Sequence, residues 1–406
     1  PGAAAKSCQD CHMPGSYHSE KKGISVDQLN EKIAIIEDET YPEAENRVPV
    51  EQITVRKRND FRRHEFLGLN AFLLEMFDQS WDVLGVSKYD YMSGSNSDLQ
   101  DAIDNYVRQA QEKTAQVAIS VRPAGRRRIV ADVAVTNLAG HRFPSGVGFR
   151  RVFVELSVID DESGDVVWAS GRTNELGAIV DGEGNILPSE FFTEYTDPQG
   201  QVRQYYQPHY QSINAQDQVQ IYEELIQNAE GKFTTSFIRR DETVKDNRLL
   251  AIGWTKNGPD PSLSGVYLKA TQPDGEAVDD PDYQDGRAGT DRLTYLIRLP
   301  AGVNARRCTV RATLYYQSIP PYYLDDRFRD APGGAATKRL YYLTSNLNLA
   351  GTPVENWKLK VATADAPVRR RVVRREAPRR TPQSQSPTGG AARAAQSRGP
   401  SRTRSG

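Results

Sequence analysis

Near residue 114 the spacing of apolar residues changes from about 3.6 to about 2, and that switch limits the fold more than any other feature of the sequence. Upstream, Phe61, Leu67, Leu69, Phe72, Leu73, Met76 and Phe77 recur at mostly helical spacing. They predict a helix from Asn59 to about Trp81 with Asn59 or Asp60 as N-cap. A second helix is expected from Ser97 to about Lys113, capped by Ser97 or Asp98, with Leu99, Ile103, Tyr106 and Val107 on one face. Downstream, Val117–Val121, Ile129–Val135 and Val152–Val158 alternate apolar and polar residues between turn-forming Gly, Pro, Asp and Asn. Further strands are expected around Val166 to Trp168, Gln218 to Glu223, Leu293 to Leu299, Thr309 to Tyr316 and Trp357 to Val361. Many short strands with regular turns predict an antiparallel sandwich. The expected class is α+β: a short helical segment (1–113), a β-sandwich domain (114–365) and a tail (366–406).

Ahead of both helices stands Ser7-Cys8-Gln9-Asp10-Cys11-His12-Met13-Pro14. Two thiols three residues apart, with a histidine directly after the second, are what covalent attachment of haem c requires. Cys8 and Cys11 would add to the porphyrin vinyl groups, and His12 would be carried to the iron as an axial ligand. The same residues also match part of a Cys2His2 zinc set with His18 as fourth donor. That reading crowds His12 against Cys11. Cys308, the third cysteine, reads as a small half-buried residue in a strand.

A haem carried by His12 needs at most one further axial ligand from the chain. The remaining histidines are His18, His64, His141 and His209. His18 is too near His12 in sequence to reach the opposite face of the same iron easily, and it suits a neighbouring haem better. His64 lies in the first turns of the predicted helix beside Phe61. His141 sits in a turn between two strands, where Gly140, Pro144 and Gly146 explain the turn but not the imidazole. His209, in Gln207-Pro208-His209-Tyr210, is a weaker candidate in a loop. Met76 and Met92 are lesser alternatives, and methionine would raise the potential relative to histidine.

Charge is unevenly placed. From Ala366 onward there are eleven arginines against one acid, Glu376, so the rest of the chain is net acidic. An acidic body disfavours nucleic acid as a partner, and the basic tail is expected to be disordered. No apolar run is long enough to cross a bilayer. The sequence opens at Pro1 with the cysteine motif only seven residues in, and is expected to be a fragment of a longer, exported protein. Asp279, Asp280, Asp282 and Asp285 offer oxygen ligands to calcium, although solvated loop carboxylates are commoner.

Three segments taken together carry a resemblance: Cys8–Pro14, Arg63-His64-Glu65-Phe66-Leu67-Gly68-Leu69-Asn70, and Gly140-His141-Arg142-Phe143-Pro144-Ser145-Gly146 with Arg150-Arg151. In this order they resemble bacterial multihaem c-type cytochromes, whose last C-x-x-C-H is followed by a C-terminal β domain. Gln218–Glu223, Lys245-Asp246-Asn247-Arg248-Leu249-Leu250 and Tyr316–Tyr323 extend the resemblance over roughly Lys6 to Val361. It implies that the residues matching His64 and His141 are distal ligands of bis-histidine haems that pass electrons. One attachment motif is present, so further haems would lie upstream or on a partner chain. Electron transfer is the expected function, with redox proteins, other haem-bearing chains or a homo-oligomeric cytochrome assembly as partners. A relay region of a nitrogen- or sulfur-oxyanion reductase and a docking β module with an accessory haem are the alternatives. Lys245–Arg248 by itself reads as a salt-bridged turn.

Overall fold

A computed structural model of the chain describes residues 6–29, 31–36, 53–58, 62–90, 95–96, 99–258, 262 and 265–368. The chain is of mixed α+β class, with its strands in several mostly antiparallel sheets. The expected basic tail from Arg369 onward, Met92, the proposed caps Asn59, Asp60, Ser97 and Asp98, and Phe61 fall outside the described residues, whereas Ala366 and Pro367, expected in the tail, end the last strand.

Two sheets form the sandwich. One runs in the order Val166–Ser170, Arg151–Asp160, Cys308–Gln317, Leu359–Pro367, with Ile221–Tyr222 also pairing with the Arg151–Asp160 strand. The other runs Ser212–Ile213, Thr290–Arg298, Arg128–Asn137, Ala115–Pro123, with only the first pair parallel. Alternation fixes the register, because a one-residue slip would turn every apolar side chain outward. Val133 faces Leu293 on one sheet and Val158 faces Val310 on the other. The buried residues of both sheets share one core, including Ile129, Ala131, Val133, Leu156, Val310 and Leu314.

The Arg151–Asp160 strand departs from alternation for a physical reason. Val152, Val154, Leu156 and Val158 enter the main core, while Phe153 on the opposite face joins Ile179, Leu187, Val219 and Ile221 in a second cluster. Both faces are covered, so both must be apolar. Gly171 follows the neighbouring strand at φ +81°, where a β-carbon would lie 2.4 Å from the Val154 carbonyl oxygen. Only glycine tolerates both the angle and the approach.

Helix α1 is Cys8–His12, α2 Ala71–Gln79, α3 Trp81–Leu84 and α4 Leu99–Lys113. Ala71, Phe72 and Met76 of α2 and Ile103 and Ala110 of α4 enter the same core as the strands. This corrects the helix expected from Asn59: the described part of that stretch, residues 62–70, is irregular, and helix begins only at Ala71. The strand expected over Gln218–Glu223 is likewise reduced to Ile221–Tyr222, with Glu224–Gln227 forming a separate one. Cys308 opens its strand fully buried.

One buried charge cluster inside the sandwich is closely paired. Arg151 is buried and donates twice to Glu190, at 2.7 Å and 2.7 Å, and once to Gln317 Oε1 at 2.7 Å. Glu190 also accepts the Ile179 N–H at 2.9 Å, which ties the 172–191 excursion to the sheet. Removing one partner of a buried ion pair strands the other charge, at a cost of roughly 3–5 kcal/mol. Glu190→Ala should therefore lower unfolding free energy by about that amount in urea titration; a loss below about 1 kcal/mol would show that the pair is not a stabilising anchor.

Candidate haem site

The cysteine segment is helical because it is capped at once. Asp10 N–H donates to Ser7 Oγ at 3.2 Å, and Asp10 Oδ2 accepts from Ser7 N–H at 2.8 Å and from Ser7 Oγ at 2.9 Å. This reciprocal capping box starts a one-turn helix. The hydrogen bonds from Ser7 hold the Asp10 carboxyl below its ordinary value, with Arg62 adding attraction at 3.0 Å. Residues three apart on a helix share a face, so Cys8 and Cys11 project together. Both thiols are free, Cys8 exposed and Cys11 half-buried.

The irregular segment 62–70 then grips this helix from outside. Arg63 N–H donates to Pro14 O at 2.9 Å and Leu67 N–H to His12 O at 2.8 Å. His12 Nδ1 in turn meets the Leu67 carbonyl oxygen. Between them Phe66 takes φ +50° and stays exposed. That left-handed angle costs a side-chain-bearing residue on the order of 1–2 kcal/mol, and the flanking bonds hold it. The Arg63 guanidinium lies 4.5 Å from the Tyr17 ring centroid. Tyr17 and Ser19 bond Asp101 of α4 at 3.3 Å and 2.7 Å, fixing the adjoining hairpin to the helix beneath.

His141 comes to this place from the sandwich. It is exposed in the loop between the Arg128–Asn137 and Arg151–Asp160 strands, and its Nδ1 bonds the Arg142 carbonyl at 2.8 Å. The His12 and His141 rings have centroids 6.2 Å apart and planes 9° from parallel. The two are 129 positions apart in the chain; the fold brings them close together with near-parallel planes. A nitrogen that donates to a carbonyl leaves the ring's lone pair on the other, so in each neutral ring Nε2 is the free donor atom. Two imidazoles bound to one metal through bonds of about 2 Å have centroids roughly 6 Å apart. In separation and plane angle the pair fits a group held on both faces, and the free thiols of α1 fit its covalent attachment.

The other candidates lie elsewhere. His18 is half-buried in the Tyr17–Ser19 strand, with Nδ1 2.8 Å from Ser25 Oγ of the partner strand. His64 is exposed on the irregular segment rather than on a helix, its ring 6.0 Å from that of Phe66. Met76 is buried in the core. His209 is buried inside the sandwich, and both its nitrogens are engaged. Gln220 Oε1 accepts the Tyr210 N–H at 2.8 Å, which turns its Nε2 toward His209 Nδ1 at 2.9 Å. Asn247 Oδ1 accepts the Glu223 N–H at 3.0 Å, which turns its Nδ2 toward the same nitrogen at 3.1 Å. Nδ1 is therefore an acceptor, and Nε2–H donates to Asp280 Oδ2 at 2.9 Å. Although ligand atoms of His209, Asp280 and Asp291 lie within 4.8 Å of one another, the imidazole has no free lone pair to give a metal. Nor do the acidic-loop residues form a calcium cage: Asp282 pairs with Arg287 and Arg292, and Asp285 accepts the Lys256 N–H.

Two features had no sequence signal of their own. Leu67 acts through backbone atoms, so its identity predicts only burial. Asn137 ends a strand like many polar residues, yet its buried side chain bonds the His141 loop.

No protein-family model matches the chain, and no curated protein matches it. Among solved structures, a penta-heme cytochrome c552 from Thermochromatium tepidum is similar at 18% identity and a TM-score of 0.28, over 64% of this chain and 40% of that one. The chain spans about 40% of that neighbour's length.

Asp291 supplies a test of the buried network around His209. Its Oδ2 accepts from Tyr222 at 2.7 Å and Gln220 at 3.0 Å, while Oδ1 has no partner among the described residues. Burial pushes its carboxyl up to about 6 from an ordinary 3.8. The folded state binds this proton more tightly than the unfolded chain, so the group's contribution to stability falls as pH rises from about 4 to about 6 and is level above. The uncharged Asp291→Asn variant lacks this loss. Its stability relative to wild type should rise by about 2 kcal/mol between pH 4 and pH 7; a difference independent of pH would refute the assignment.

Proposed function

We propose that the chain binds haem c covalently through Cys8 and Cys11, with His12 and His141 as its axial ligands, and that it carries electrons. The observation that carries this reading is the pair of imidazoles, 6.2 Å apart and 9° from parallel, beside the free cysteines of a C-x-x-C-H helix. Bound haem supplies one-electron chemistry at iron.

The protein's own residues do the rest. The Leu67 and Arg142 carbonyls orient the two rings, each through Nδ1. With both faces taken, no position is left for a substrate, which favours a carrier over a catalyst. The change of redox state then needs no gain or loss of ligand, and burial and hydrogen bonding set the potential.

His18, half-buried, and His64, exposed, are proposed as ligands to further haems held outside the residues described, such as on a partner chain. Covalent attachment implies export, so the reading places the protein in the periplasm, at the outer membrane or outside the cell. Its partners would be redox proteins or other haem-bearing chains, including copies of itself. No described helix is long and apolar enough to cross a membrane.

The test is a visible spectrum of protein produced with haem-maturation machinery. A c-type spectrum should survive acid–acetone extraction and vanish in the Cys8→Ser/Cys11→Ser variant. The wild-type haem should ignore CO, whereas His141→Ala should bind it. A protein with no covalent haem, or a His141→Ala variant as inert to CO as wild type, would overturn the reading.

A further inference from the structure

His141 is exposed on a loop, where an imidazole would ordinarily sample many orientations. Its backbone, however, is held from two sides. Asn137 is fully buried, and its Nδ2 donates to His141 O at 2.8 Å, Leu249 O at 3.1 Å and Leu250 O at 3.1 Å. Its Oδ1 accepts the Ala139 N–H at 2.9 Å, which fixes the amide's orientation. One side chain thus closes the start of the loop and ties it to residues 249–250.

The second hold lies just past the imidazole. Phe143 and Leu249 exchange backbone hydrogen bonds of 2.9 Å and 2.8 Å. Between that bridge and His141, the Arg142 guanidinium pairs with Asp246, which also takes Arg248 at 2.8 Å and 2.6 Å. Arg142 Nε and Nη2 find no partner among the described residues, so the side chain's hold rests on Asp246. Asp246 is itself held in place: it exchanges backbone bonds with Asp274, and the adjacent Lys245 and Asn247 are fully buried and bonded to Ile221 O at 2.9 Å and 2.8 Å. The Lys245–Arg248 segment therefore does more than close a turn.

We propose that Asn137, acting on the His141 backbone, and Asp246, acting through Arg142, are positioning residues that aim the His141 imidazole at His12. The inference rests on the bis-histidine reading above and adds what makes an exposed loop histidine a dependable ligand. Without these holds, the Arg142 carbonyl that orients His141 Nδ1 would itself be free to move.

The experiment compares haem-loaded wild type, His141→Ala, Asn137→Ala and Asp246→Asn by visible spectra, CO titration and far-UV circular dichroism, with imidazole added afterwards. The CO-binding fraction should rise several-fold over wild type in Asn137→Ala and Asp246→Asn while circular dichroism stays native. External imidazole should return both to a six-coordinate spectrum, a rescue that a general loss of packing would not allow. If His141→Ala binds CO but folded Asn137→Ala and Asp246→Asn do not, the positioning role is refuted and His141 ligation stands. If His141→Ala itself does not bind CO, the ligand reading fails and the inference with it. Should Asn137→Ala not fold, Asp246→Asn alone decides, because it leaves every Asn137 bond in place; and should that too not fold, Arg142→Lys decides by the same readout, as it keeps a charge for Asp246 but shortens its reach.

Discussion

The amino-terminal part of the molecule depends on one reciprocal contact between backbone and side chain: Leu67 gives its N–H to the His12 carbonyl and takes the His12 imidazole on its own carbonyl. A five-residue helix cannot hold its shape alone, since nucleation is costly and only one turn is gained. Here the Ser7 box closes its start and Leu67 closes its end. The same contact forces Phe66 into a left-handed angle and delays helix α2 to Ala71. The local cost of an irregular segment is offset by a fixed imidazole.

The sandwich contributes the opposing imidazole, and its interior explains how. Arg151, Glu190, Lys245, Glu223 and Asp246 are all buried, and each charge meets a partner: Lys245 donates to Glu223 at 2.9 Å and to two carbonyls besides. A buried pair is weak evidence for stability, because desolvation cancels much of the attraction. What such pairs do supply is fixed geometry, since breaking one leaves an uncompensated charge. The loop bearing His141 is anchored to this interior through Asn137 and Arg142, so a surface residue inherits the rigidity of the core.

Much of the sheet structure was legible because alternation along a half-buried strand is a local property of sequence. Ile129–Val135 and Thr309–Tyr316 lie within observed strands with the expected residues inside. The C-x-x-C-H segment and His141 stand out in the sequence for a different reason, as residue types in short fixed patterns, but nothing in those patterns tells that the fold brings His12 and His141 together. The misplaced elements share one cause. Asn59–Trp81 has helical spacing, but residues 62–70 spend backbone groups on Pro14 and His12, some 50 positions away. Gln218–Glu223 alternates, but the Ile221 carbonyl is taken by Lys245 and Asn247. Long-range hydrogen bonds to backbone leave no periodic trace. For His209, a loop position next to proline gave no hint of a buried ring with both nitrogens engaged.

The central claim is that His12 and His141 share one iron with near-parallel rings, and electron paramagnetic resonance of the oxidised protein reads this most directly. The account predicts a rhombic low-spin ferric signal, as parallel imidazole planes produce, that disappears in His141→Ala. A high-spin signal in the wild-type protein, or a low-spin signal unchanged by that substitution, would contradict it.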